Sequence, residues 1–217
     1  MPVLLSSTYF GPVQWYQKLA QADHVLIEQH DSYQKQTYRN RCLIATTNGV
    51  QALTVPVALS EADKNTPSPL VRVSDHGNWR HQHWQALTSA YGDSPFFQFY
   101  EDDIRPFFTE RWEFLYDFNE AIRQKICELI DIQPNVKMTE SFIRRTQIAQ
   151  NTQDTQLTPI QSLDLRDAIN PKHPLPDPDF IPRPYYQVYA RKHGFLPNLS
   201  ILDLLFNMGP ESYFYLF

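Results

Sequence analysis

The chain of 217 residues carries 24 acidic and 19 basic side chains, a formal net charge of -5, so its overall field does not attract nucleic acid or an anionic membrane. With 42% hydrophobic and 14% aromatic residues it has apolar surface enough for the core of one large domain. Cys42 and Cys127 form neither a disulfide framework nor a CxxC zinc pattern, and no apolar run approaches the roughly 18 residues that spanning a bilayer requires.

The opening MPVLLSSTYFGPVQW has no basic leader and breaks its apolar run after Leu5, which predicts a cytoplasmic protein without a signal peptide. Val3 to Leu5 reads as a buried strand, Val13 to Ala22 as a helix with Trp15, Tyr16, Leu19 and Ala20 on one face, and His24 to Glu28 as a second strand. A βαβ unit of this kind places its two strands parallel in one sheet. Open α/β sheets bind ligands beyond the carboxyl ends of such strands.

Just past that second strand lies Tyr33 to Arg41, YQKQTYRNR, with three cations and no carboxylate. Two readings of it stand side by side. In one, Tyr33, Lys35, Asn40 and Arg41 bind an anionic group of a substrate, arginine supplying a bidentate fork for phosphate or carboxylate and lysine a point charge. In the other, Asn40 and Arg41 satisfy buried carbonyls within a turn while Lys35 and Arg39 stay in water. No GxGxxG or Walker pattern supplies a nucleotide cradle, and the sequence points to no cofactor.

Arg41 to Ala45 and Ala52 to Val57 are β-rich runs around Asn48-Gly49, a strong hairpin signal. Ser60 to Pro69 reads as a polar loop. Asn78 to Tyr91 is a predicted helix, Ser94-Pro95 a cap and first-turn pair for a helix running to Ile104. Phe108, Trp112, Leu115, Asn119, Ile122, Ile126 and Leu129 then mark one long amphipathic helix. Val136 to Met138 and Tyr185 to Ala190 are predicted strands. Between them, 143–184 is polar and then proline-rich, and reads as irregular. Ser200 with Asp203 starts a last helix that Gly209 and Pro210 end, and the closing YFYLF packs on the body or on a second subunit, making a homo-oligomer through this tail one expectation. The fold class that results is α/β: one domain, a mixed sheet with a βαβ start, an Asn-Gly hairpin and packed helices.

His76, His81 and His83 invite a metal reading, but residues two apart on a helix differ by roughly 200° around its axis. His81 and His83 therefore face opposite ways, and no metal is expected. His83 falls on the apolar side with Trp79, Ala86, Leu87 and Ala90, as a core histidine bonded to backbone or as a catalytic general base. The two cysteines read as buried thiols, with a nucleophile the alternative.

YFGPVQWY, YQKQTYRNR, LTVPV, NWRHQHWQALTSAYGDSPFF and FLPNLSILDLLFNMGPE, in this order, resemble the WbqC-like proteins, over residues 6 to about 130 and again 185 to 212. The resemblance implies a bacterial protein associated with surface polysaccharide (O-antigen) biosynthesis, and His83 matches the family's W-x-x-x-H spacing. This chain departs from the family at Ser6 and Ser7, where many members have Gln-Pro, and at Gln29 and His30, where many have an acidic pair. Its 143–184 passage stands where longer members carry a helix and a Gly-rich region, so it resembles a short member with a reduced C-terminal half. Two functions are expected: an enzyme of bacterial glycan or small-metabolite biosynthesis, a transferase acting on an activated sugar or acyl donor with His83 moving a proton, or a non-catalytic binding or scaffold protein that has lost the family's C-terminal region.

Overall fold

The computed structural model describes residues 2–58, 66–144 and 163–217. β1 (Val3–Ser6), β2 (Val25–Glu28), β7 (Val136–Met138) and β8 (Leu163–Asp164) form a sheet in the order β7-β2-β1-β8, parallel throughout. β1 is buried at all four positions, as a strand covered on both faces must be. The crossover from β1 to β2 is α1 (Val13–Gln21), whose Trp15, Tyr16 and Leu19 are fully or almost fully buried. The predicted βαβ start is therefore present.

β3 (Arg41–Thr46) and β4 (Gly49–Thr54) pair antiparallel, with Thr46 opposite Gly49. The turn is made by Thr47 and Asn48, held by the Thr46 hydroxyl, which accepts from the Asn48 N–H and donates to the Gly49 carbonyl. The positive φ of this hairpin, 103°, falls on Gly49. β5 (Val57–Ala58) and β6 (Arg72–Val73) make a second small antiparallel pair; most of the polar loop expected at 60–69 lies outside the described residues.

Helices α2 (Trp79–Tyr91), α3 (Phe97–Ile104), α4 (Pro106–Thr109), α5 (Leu115–Leu129) and α7 (Ile201–Met208) pack with the sheet around one hydrophobic cluster, and the short α6 (Ala190–His193) has no buried residue. The long helix expected from Phe108 to Leu129 is broken between α4 and α5. There the chain runs extended beside β6: the Val73 N–H donates to Glu113 O and the Leu115 N–H to Val71 O, and Phe114 bridges to Arg72. Sheet-type bonds available at 113–115 outweigh the helical periodicity that Trp112 continues.

Three further expectations are corrected. Ser94 does not cap α3; its hydroxyl and N–H both donate to Tyr91 O and close the end of α2. Tyr185 to Ala190 is not a strand, because its side chains take over: the Gln187 amide donates to Leu196 O and accepts from the Leu196 N–H, while Tyr185 reaches Asp203. The 143–184 passage does contain one regular piece, β8, whose partner is β1.

Ser200 caps α7 as expected, its Oγ accepting from the Leu202 N–H and donating to Phe10 O. Asp203 serves elsewhere, accepting from Tyr91, Tyr185 and Gln187 at 2.7–2.8 Å. Burial raises its pKa above the ordinary carboxylate value against the pull of these three donors. After α7 the tail buries Leu216 completely and leaves Tyr213, Phe214 and Phe217 exposed.

Gly49→Val should destabilise the protein by about 1 to 3 kcal/mol, because a β-branched residue resists a φ of 103°. No atom stands within 4 Å of the added Cβ, so the cost is conformational and not steric, and a thermal melt reads it directly.

Candidate functional site

In the order β7-β2-β1-β8 the chain steps from β1 to one side and returns on the other with β8. A crevice between β1 and β8, beyond their carboxyl ends, is where such a sheet places a ligand. The structure has one there. Its walls are Ser6, Ser7 and Thr8 after β1, Trp15 of α1, Thr37, Tyr38 and Arg39 of the YQKQTYRNR segment, and Leu165, Arg166 and Ile169 after β8. The open space among them measures about 10 Å³, close to what one water molecule needs.

Both arginines of this crevice are buried and committed. Arg39 donates to Asp31, to the Ser6 hydroxyl at 2.8 Å and to the Thr37 hydroxyl at 3.5 Å. Arg166 makes a bidentate pair with Asp164, at 2.8 and 2.9 Å, and donates to Glu28 and to Ile143 O. Glu28, at the end of β2, accepts from the His30 and Ile143 N–H groups, the Thr139 hydroxyl and Arg166, all between 2.8 and 3.0 Å. Two guanidinium groups are thus matched by the carboxyls of Glu28, Asp31 and Asp164.

One polar atom of the crevice is left over. Thr8 is 6% exposed, and its hydroxyl has no partner among the described residues. A Cβ on Gly11 would lie 2.4 Å from that oxygen, so only glycine at 11 lets the Thr8 side chain sit where it does.

The segment YQKQTYRNR is held to three parts of the fold by its own carbonyls: Tyr38 O accepts from the Tyr9 N–H, Arg39 O from the Asn119 amide of α5, and Asn40 O from the Val55 N–H. Asn40 braces further, its amide donating to Val55 O at 2.8 Å. Burial pushes the pKa of the Tyr33 hydroxyl up to about 12, against the pull of the Arg39 and Arg41 charges and of the Asn40 side chain. Arg41 is half-buried and, among the described residues, bonds through Nε alone, toward the exposed hydroxyl of Thr54 at 3.0 Å. Tyr33, Asn40 and Arg41 are therefore brought together, and Lys35 is exposed on its own stretch of the loop.

His83 lies elsewhere. It is 5% exposed, packed against Tyr9, Trp79 and Phe108, with Nδ1 bonded to the Tyr9 hydroxyl at 2.9 Å and a further bond to the Thr54 backbone. Burial, its dominant influence, depresses the imidazole pKa to about 4. His81 is exposed on the other side of α2. Both cysteines are free and buried, and burial pushes the Cys42 thiol up strongly and that of Cys127 to about 11, unlike a thiolate nucleophile.

Sequence reading missed Arg39, Arg166 and the hydroxyls of Ser6 to Thr8 as site residues. Arg39 was hidden in a run of cations. Arg166 belongs to the passage taken as irregular, where the alternating Leu163-Asp164-Leu165-Arg166 was the signal. A larger recess, about 420 Å³, lies between α3, α4 and α5, but its wall holds Asp102, Asp103, Glu110 and Glu128 against Lys125 alone, and none of the sequence-predicted site residues.

Two variants probe this arrangement. Glu28→Gln should cost about 3 to 5 kcal/mol, since it leaves Arg166 short of a charge partner in a buried setting, and denaturant unfolding measures the loss. His83→Gln should flatten the acid limb of stability. With a folded pKa near 4 and an unfolded one near 6.5, the unfolded chain takes the proton first; stability is full above about pH 6.5 and falls toward pH 4. Melting temperatures between pH 4 and 7 should slope more in the parent than in the variant.

The profile of the WbqC-like protein family matches residues 7–215, so the match runs through 143–184 as well as the segments on either side of it. The chain is 28% identical over 228 residues to an uncharacterized protein of Mycobacterium tuberculosis, Rv1507c, covering 98% of this chain and 96% of the other. No solved structure matches. On the extent of the family match, the chain belongs to the WbqC-like protein family.

Proposed function

We propose that this WbqC-like protein is a cytoplasmic transferase of bacterial surface-glycan or small-metabolite biosynthesis, and that it binds its substrate through an anionic phosphate or carboxylate group at Arg41, with Tyr33 and Asn40 beside it. The observation that supports this is the state of the Arg41 side chain. Arg39 and Arg166 are charge-paired, whereas Arg41 bonds a single hydroxyl through Nε and has no carboxylate in ion-pair range among the described residues. Its two terminal nitrogens form the fork that a phosphate or carboxylate accepts. Lys35, exposed in the same loop, adds a positive charge. His83, whose Nδ1 bonds the Tyr9 hydroxyl, is the proton-transfer candidate of this reading.

A second reading, a non-catalytic binding or scaffold protein, is favoured by the burial of His83, whose imidazole is already engaged by Tyr9 and Thr54. The two differ in turnover and agree in binding.

Arg41→Lys keeps the charge and removes the fork. Titration with inorganic phosphate and sugar phosphates should show about tenfold weaker binding, roughly 1.4 kcal/mol, while the ligand-free protein melts within about 0.5 kcal/mol of the parent. Unchanged binding, or an apo loss of about 1 to 3 kcal/mol typical of a broken buried contact, defeats the anion site. If Arg41→Lys weakens binding and no phosphorylated sugar or acyl donor is consumed, the scaffold reading replaces the transferase.

A further inference from the structure

The switch-point crevice differs from the Arg41 surface in charge and in size. Its arginines arrive with carboxylates already attached: Asp31 on Arg39, Asp164 and Glu28 on Arg166. Two guanidinium groups against three carboxyls leave no excess positive charge for a phosphate, and a phosphate would have to enter beside Asp31 and Asp164. In a site this buried, a like charge a few ångströms away costs more than the remaining guanidinium donors return.

What the crevice does offer is hydroxyl chemistry. Ser6, Ser7, Thr8 and Thr37 line it together with an arginine on either side, so donors and acceptors are mixed at short range. The Ser6 hydroxyl is bonded by Arg39, that of Ser7 by Asn119 at 3.2 Å, and that of Thr37 donates to Gln34 O. Thr8 alone has no partner, at 6% exposure, which makes it a buried polar group that something other than the described protein must satisfy. The space of about 10 Å³ admits a group the size of one water. A single alcohol hydroxyl meets all three conditions: it is neutral, it both donates and accepts, and it is of that size.

We infer that the crevice between β1 and β8 is a subsite for one hydroxyl of an uncharged polyhydroxylated group, with Thr8 as the residue that reads it. Arg39 relates this subsite to the anion surface, since it lines the crevice and its charge also acts on the Tyr33 hydroxyl. The inference rests on the proposed anion site only for the order of the two parts: charged group outside at Arg41, hydroxyl inside at Thr8.

The test compares inorganic phosphate, a panel of neutral monosaccharides, and the corresponding sugar 1-phosphates by calorimetric titration of the full chain. In the parent protein at least one sugar 1-phosphate should bind about tenfold or more tighter than inorganic phosphate. Thr8→Val, close in shape and lacking the hydroxyl, should remove about five- to tenfold of that preference and leave inorganic phosphate binding unchanged. Ser7→Ala, at a neighbouring wall, serves where Thr8→Val unfolds by circular dichroism, and should lower the same preference. Arg41→Lys should do the reverse, weakening phosphate and sugar phosphate alike.

A sugar 1-phosphate that binds no tighter than phosphate overturns the subsite and leaves the anion reading standing. Neutral sugars that bind through Thr8 while phosphate does not bind at all uphold the subsite and end the anion reading. A folded protein that binds none of these probes overturns the subsite, the crevice then holding water only.

Discussion

Taking the Glu28 carboxylate out of water is costly by several kcal/mol, and the fold meets that cost with four donors. Two are backbone N–H groups, of His30 and Ile143; one is the Thr139 hydroxyl, and one is Arg166. These donors come from beyond the ends of three strands, β2, β7 and β8, so the carboxylate ties together what the short sheet by itself holds weakly. β8 has only two residues in the ladder; its place beside β1 depends on Arg166 reaching across to Glu28. The arrangement brings a guanidinium to the carboxyl edge of the sheet, and the crevice follows from it. A small apolar residue at 28 would leave β8 without its anchor and Arg166 without a counter-charge.

The same constraint separates the arginines at this edge of the sheet into two kinds. Arg166 and Arg39 are fixed by carboxylates before any ligand arrives, and their donors shape a wall. Arg41 stands outside that network, next in the alternation of the chain as it enters β3, and keeps its fork in solvent. Under the two proposals above, a charged group and an uncharged one would meet different parts of the same edge. The hydroxyl groups of Ser6, Ser7 and Thr8 give the crevice its small donor-acceptor lining.

Much of the fold was legible because its signals are local. The apolar run at Val3, the amphipathic α1 and the buried run ending at Glu28 specify a parallel pair without help from elsewhere, and Asn48-Gly49 marks the hairpin. The failures share one cause, tertiary bonds that override a local pattern. Trp112 continues a helical period that the pairing of 113–115 with the β6 edge breaks, and Tyr185 to Ala190 has strand composition but spends its side chains on Asp203 and Leu196. Of the candidate site, topology pointed to the carboxyl edge of the sheet and to the cation-rich segment, but the crevice opens between β1 and β8, and β8 was not read from the sequence. Which cation was buried was not: Lys35, Arg39 and Arg41 are alike in a string of letters, and only the Asp31 carboxylate eight residues before Arg39 in the chain decides among them.

Three consecutive residues show how that decision works. Arg39 turns into the sheet edge and pairs with Asp31; Asn40 turns into the hairpin and closes on Val55 through both its side chain and its carbonyl; Arg41 begins β3 and faces the solvent beside Thr54. The carbonyls of Tyr38, Arg39 and Asn40 are each taken by a different element, so the peptide planes at 38–40 are fixed from three directions. A backbone fixed in this way costs a ligand little ordering entropy, because the donors it meets do not have to be gathered on binding. Within the segment Arg39 and Asn40 brace the backbone, so that Arg41, the centre of the anion site proposed above, is presented at a constant place.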